Sequence, residues 1–124
     1  MPRAHRTGMD IYHVWFDLKP DTSDVKFVEH AEAYLGHLVS AGKVRSFRIT
    51  RRKLGFSPPG MGEFHVMIET ENLAELDAAF QHVARRSGEV EGLHASVNQL
   101  VANATFALYR DFPDPVRERG EEKF

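Results

Sequence analysis

Two histidines stand in the middle of alternating apolar runs: His13 within Asp10-Ile11-Tyr12-His13-Val14-Trp15-Phe16-Asp17-Leu18-Lys19, and His65 within Phe64-His65-Val66-Met67-Ile68. Imidazole is the only side chain whose ordinary pKa lies near neutrality, so either histidine can serve as a general base. Arg48 can hold a carboxylate or a developing enolate oxygen, and Tyr109 can supply a further hydrogen bond. Trp15 and Met67 offer apolar walls for a ring, with Thr50 at an alternating position beside Arg48. His13, His65 and Glu69 or Asp17 would make a two-histidine, one-carboxylate metal set, but no ligands recur at a diagnostic helical spacing. No metal and no cofactor is therefore expected. The chain has no cysteine, which excludes disulfides, thiolate zinc sites and cysteine nucleophiles.

These residues need strands to present them. The segment Asp10–Lys19 is rich in β-branched and aromatic residues and stops at Pro20. Alternation puts Tyr12, Val14, Phe16 and Leu18 on one face and Ile11, His13, Trp15 and Asp17 on the other. The first face is ordinary core. The second carries an indole whose full burial is worth about 4–6 kcal/mol by area, so something is expected to cover it. Pro20-Asp21-Thr22-Ser23-Asp24 is helix-start chemistry, and Val28, Ala31, Leu35, Leu38 and Val39 make the stripe of a helix from about Ser23 to Ala41, with Gly42 closing it. Lys43 to Leu54 and Glu63 to Thr70 alternate again, joined by the glycine/proline connection Gly55–Gly62. Asn72 and Glu75 form a capping pair for a second helix to about Ser87, with a stripe of Leu73, Leu76, Ala79, Phe80, Val83 and Ala84 and a C-cap at Gly88. Leu93, Val97, Leu100 and Val101 suggest a short extra helix, and Ala104 to Phe112 a last strand.

The order β-α-β-β-α-(α)-β predicts an α+β class domain of ferredoxin-like type, with an antiparallel four-stranded sheet and an extra short helix before the last strand. Residues 10–112 form the domain, and 1–9 and 113–124 are tails. Right-handed crossovers put both main helices on one face. Phe47, Ile49, Phe64, Val66, Ile68, Phe106 and Leu108 then join Tyr12, Val14 and Phe16 beneath them. The opposite face presents His13, Trp15, Arg48, Thr50, His65, Met67 and Tyr109. It is too aromatic for a solvated sheet and too polar for a closed core, so a second copy packed sheet to sheet is expected.

The stretch His13-Val14-Trp15-Phe16-Asp17-Leu18-Lys19-Pro20-Asp21-Thr22 resembles the opening strand of the dimeric α+β-barrel superfamily, most nearly its stress-responsive A/B-barrel branch. Gly92-Leu93-His94 is similar to a histidine-bearing turn ahead of that family's last strand, although Leu93 stands where a proline is usual. The resemblance covers about Asp10 to Phe112. It implies a homodimer and neighbouring first and third strands, which would bring His13 and His65 together on the cavity face. It also implies a small, partly apolar organic ligand in a sheet-lined cavity. The chemistry of such proteins includes cofactor-independent oxygenation, cyclisation and isomerisation. The different-class alternative is a non-catalytic dimeric stress-response or interaction module.

The remaining charges narrow the partners. A net charge of −2 with 27% charged residues argues against nucleic acid or an anionic membrane. Arg45, Arg48, Arg51, Arg52 and Lys53 make a basic strand, but alternation splits them between two faces, which suits a protected sheet edge. There is no apolar leader and no run of membrane-spanning length, so a cytoplasmic location is expected. His30, His37 and His82 read as helix-surface residues. His94 can reach a cavity mouth or help the extra helix begin. The Gly55–Gly62 connection is either a flap over the cavity or an arm that grips a partner through Phe56 and Met61.

Overall fold

The computed structural model describes residues 8–85 and 88–113, so most of both expected tails lies outside the described residues. The elements run β1 (Asp10–Leu18), α1 (Asp24–Ser40), β2 (Ser46–Arg51), β3 (Phe64–Thr70), α2 (Leu73–Ala84), α3 (Gly88–Asn98) and β4 (Val101–Arg110). All four strands join one antiparallel sheet in the order β2-β3-β1-β4. This is the ferredoxin-like α+β arrangement that the element order predicts. β1 and β3 are the inner strands, paired from Asp10↔Thr70 to Phe16↔Phe64.

Local chemistry starts both main helices. The Ser23 hydroxyl accepts from the Lys26 N–H at 3.2 Å, and the Asn72 side chain accepts from the Glu75 N–H at 2.8 Å. Glu75 in turn accepts from the Glu71 N–H at 2.7 Å. The core lies between α1 and the inner strands, where Phe16, Phe27, Ala31, Leu35, Phe64 and Val66 are buried. Phe27 is 1% exposed and packs its ring against both Phe16 and Phe64. It was absent from the expected α1 stripe, which took its phase from Val28. With Phe27, Ala31, Leu35 and Leu38 the spacing is i, i+4, i+8 and i+11, and Val28 falls to its half-buried flank.

Several boundaries differ from the sequence reading. Helix α2 ends at Ala84 with Arg85 as its C-cap, and Gly88, at a φ of 65°, opens α3 instead of closing α2. The extra helix is eleven residues long and packs on α1 through the buried Val90. Strand β4 begins at Val101, not Ala104. Trp15 and Asp17 are two apart on β1, whereas their partners Thr105 and Ala102 are three apart on β4. The additional residue is a bulge at which Asn103 takes a φ of 59°, a left-handed conformation that asparagine tolerates. The bulge breaks the alternation, so a period-two reading loses the strand there. Phe106 and Leu108 lie on the helix-facing side as expected, opposite Val14 and Tyr12, but on the edge strand β4 they remain 60% and 51% exposed.

The connection after β2 is pinned, not loose. A Cβ on Gly62 would lie 2.5 Å from the Phe16 backbone nitrogen, so only glycine fits that crossing. The Glu63 N–H donates to Asp17 at 3.0 Å beside it. Phe27→Ala is expected to cost about 3–5 kcal/mol of unfolding free energy, read from denaturant melts, because nothing can collapse into the space between Phe16 and Phe64. A loss below about 1 kcal/mol would contradict this account of the core.

Candidate functional site

The register of the inner strands builds the open face, the one turned away from the helices. Trp15 lies directly opposite His65, and His13 opposite Met67, so the two histidines are diagonal neighbours. His13 Nδ1 and His65 Nε2 are 2.8 Å apart, one donating and the other accepting. The Trp15 and His65 rings are parallel within 10° at a centroid distance of 4.3 Å, and the Tyr109 ring meets His13 edge-on at 4.9 Å. Thr50 donates to the His65 backbone carbonyl at 2.8 Å, which fixes that strand pairing and occupies its hydroxyl hydrogen. Arg48 is exposed, opposite Met67 on β2. No hydrogen bond joins it to either histidine among the described residues. Of the seven site residues named from the sequence, His13, Trp15, His65 and Tyr109 thus form one aromatic cluster. Thr50 and Met67 flank it, and Arg48 stands apart.

Partial burial lowers the pKa of His13, and burial together with the neighbouring His13 lowers that of His65. The geometry agrees, since two imidazolium rings would leave a 2.8 Å contact without an acceptor. Among the described residues no group of three or more histidine, aspartate and glutamate side chains converges to hold a metal ion.

A larger space lies on the other side of the sheet, between its helix-facing surface and the helices. This chamber has a volume of about 400 Å³ and is walled by residues such as Val14, Ala31, Val66, Phe80 and Val97. None of the seven named site residues lines it. Its few polar groups come from Tyr12, Tyr34, His94 and Asn98. Tyr34 and His94 are in ring contact at 5.4 Å, joining α1 to α3. Burial, aided by the charge of Tyr12, pushes the Tyr34 hydroxyl up to about 12, so it stays a protonated donor at neutral pH. Tyr34 was missed in the sequence, although its position three residues after Ala31 puts it on the buried face of α1. His94 lines this helix-side chamber, not the open face that carries His13 and His65.

His37 and His82 also depart from the helix-surface reading. Their rings lie parallel at 6.1 Å, and His82 Nε2 is buried without a hydrogen-bond partner among the described residues. Desolvation, then Lys43, His37 and Arg85, lower the pKa of His82.

The profile of a family of unknown function, DUF6614, matches residues 9–124. The chain belongs to that family. No curated protein matches this DUF6614 chain. Among solved structures it is similar to SnoaB, a cofactor-independent oxygenase from Streptomyces nogalater, with a TM-score of 0.64 at 6% identity over 88% of this chain and 98% of that one. A dimeric ferredoxin-like protein of unknown function from Thermobifida fusca gives 0.59 at 14% identity over 85% and 92%. A dimeric protein of unknown function and ferredoxin-like fold from Bacteroides fragilis gives 0.53 at 13% over 83% and 96%. At such identities the likeness is one of fold. The fold is that expected from the dimeric α+β-barrel resemblance. Among the described residues of this DUF6614 protein no helix is long and apolar enough to cross a membrane.

The lowered histidines make stability depend on pH in one direction. Below the ordinary histidine pKa of about 6.5 the unfolded chain takes up protons that the folded chain refuses, so stability is complete above that pH and declines beneath it. Unfolding free energy measured by denaturant melts is expected to fall steadily from about pH 6.5 to about pH 5. His65→Gln should reduce that slope by the part due to His65 and leave the parts due to His13, which burial lowers by itself, and to His82. An equal slope in the variant would contradict a lowered pKa at His65.

Proposed function

We propose that this DUF6614 protein is a homodimeric α+β barrel that binds a small, largely apolar organic molecule in the chamber between its sheet and its helices. The observation that carries the reading is the chamber itself. Interiors of small domains are close-packed, and about 400 Å³ of apolar-walled space lies within the range of ligand pockets, roughly 300–1,000 Å³. Tyr34, His94 and Asn98 come from α1 and α3, and Tyr12 on β1 is near enough to act on Tyr34, which favours a ligand with one polar end and an apolar body. Tyr34 donates a hydrogen bond to an oxygen at that end, and the His94 imidazole beside it can accept a proton from an enolisable or phenolic group. That arrangement supports proton-transfer chemistry that uses no bound cofactor. SnoaB, which shares the fold, is described as a cofactor-independent oxygenase.

The homodimer follows from the other face. Trp15, Met67 and Tyr109 lie there without a helix over them, and Tyr109 is 61% exposed on the edge strand β4. A second copy laid on that face covers these apolar groups. Two similar folds are named dimeric. A second reading places the chemistry on the open face, with His13 or His65 as base and Arg48 or Tyr109 holding the oxyanion. It draws on the 2.8 Å imidazole contact. In a dimer the same contact serves as a polar, water-accessible seam, the non-catalytic alternative for those residues.

The apolar dye N-phenylnaphthylamine is expected to bind saturably, one per chain, with a rise in fluorescence. Val97→Phe, which fills the chamber, should weaken it about tenfold while the fold persists by circular dichroism. Unchanged dye binding would remove the chamber as the site. Light scattering at micromolar concentration should return twice the 14.1 kDa chain mass, and Tyr109→Glu should shift it toward the monomer. A monomeric parent protein would overturn the dimer.

A further inference from the structure

The connection between β2 and β3 folds back over the open face and leaves a second hollow of about 250 Å³ beside Trp15 and His65. One wall is the parallel Trp15–His65 ring pair, and the loop supplies Phe56 and Pro58. Arg52 completes the lining. Its Nη1 donates to the Ser57 hydroxyl at 3.2 Å and to the Met61 carbonyl at 3.3 Å, and its backbone N–H donates to the Glu63 carbonyl at 2.7 Å.

The other strand-end arginines are held differently. Arg51 is neutralised by Glu63 and Asp24 at 2.8 and 2.9 Å, Arg45 by Glu71 and Glu75, and Arg110 by Asp10. Among the described residues the Arg52 guanidinium is oriented by neutral oxygens only. The one carboxylate in the hollow, Glu63, is already engaged by Arg51. Among the described residues the hollow therefore holds a positioned cation, Arg52, with donors to spare and no carboxylate paired with it, next to the Trp15–His65 rings. Guanidinium geometry matches a carboxylate fork, and parallel aromatic faces accept a ring.

We propose that this hollow binds a small planar organic acid, its carboxylate paired with Arg52 and its ring stacked on the Trp15–His65 pair. The site is on the opposite side of the sheet from the chamber and does not depend on the chamber being occupied. A second copy over the open face would close the hollow further, and a carboxylate side chain of that copy is the competing occupant.

Trp15 is the only tryptophan, so its emission reports on the hollow directly. Benzoate titrated into the full-length protein is expected to change that emission saturably, whereas benzyl alcohol at equal concentration is not. Arg52→Gln, an exposed change that leaves circular dichroism unaltered, should weaken benzoate by about tenfold or more. Equal benzoate affinity in that variant would overturn the proposal. Loss of the response in Val97→Phe with retention in Arg52→Gln would place benzoate in the chamber and overturn it too. If Arg52→Gln instead converts a dimer to a monomer by light scattering, with benzoate unaffected, the guanidinium serves a second copy and the ligand site is refuted.

Discussion

The alternation of side chains along β1 is the constraint on which the rest of the molecule depends. β1 is bonded on both edges, to β3 and to β4, so its backbone has no freedom to rotate one residue without breaking two ladders. That register sends Phe16 to the helices and His13 and Trp15 to the far side. β3 repeats the partition, with Phe64 and Val66 buried while His65 joins the open-face cluster. Two chemically different surfaces, back to back on one sheet, follow from this sorting.

On the helix side, burial is uneven. α1 seals the middle of the sheet through Phe27, Ala31 and Leu35, and α3 packs on α1. α2 contributes only Leu76 and Ala79 to the buried set, and its Phe80 remains 46% exposed, set edge-on to Tyr12 at 5.1 Å. The chamber lies where the helix layer stands off from the sheet. Its polar groups are Tyr34, His94 and Asn98 from α1 and α3, with Tyr34 in ring contact with His94, and Tyr12 from β1. An apolar space with a single polar end discriminates by shape for most of a ligand and by hydrogen bonding at one point.

On the open side, electrostatics and backbone fit act together. Gly62 lets the β2–β3 connection cross Phe16 at a distance that a side chain would forbid, and the Glu63–Asp17 bond locks the crossing. Arg51 spends its charge on Asp24 and Glu63, tying the connection to the start of α1. Arg52 faces the hollow. Arg51, the last residue of β2, and Arg52, just after it, thus differ: the first is held by carboxylates and the second by neutral oxygens.

Much of this was legible from the chain. Apolar alternation in Asp10–Leu18 and Phe64–Thr70 and the caps at Ser23 and Asn72 are local features set by backbone geometry and near-neighbour hydrogen bonds, and they determined the elements, their order and the two sheet faces. The convergence of His13 and His65 was legible only with the strand order implied by resemblance, since periodicity assigns a face but not a neighbour. The bulge at Asn103, the close crossing at Gly62 and the seam between Tyr34 and His94 depend on contacts between residues far apart in the chain. No local propensity encodes how far a helix layer stands from its sheet, or which of several arginines finds a carboxylate. The sequence by itself determined which side chains share a face; the tertiary structure alone decided which of them meet, where space is left between layers, and which charge is left uncompensated, because those depend on through-space distances that strand and helix periods do not set.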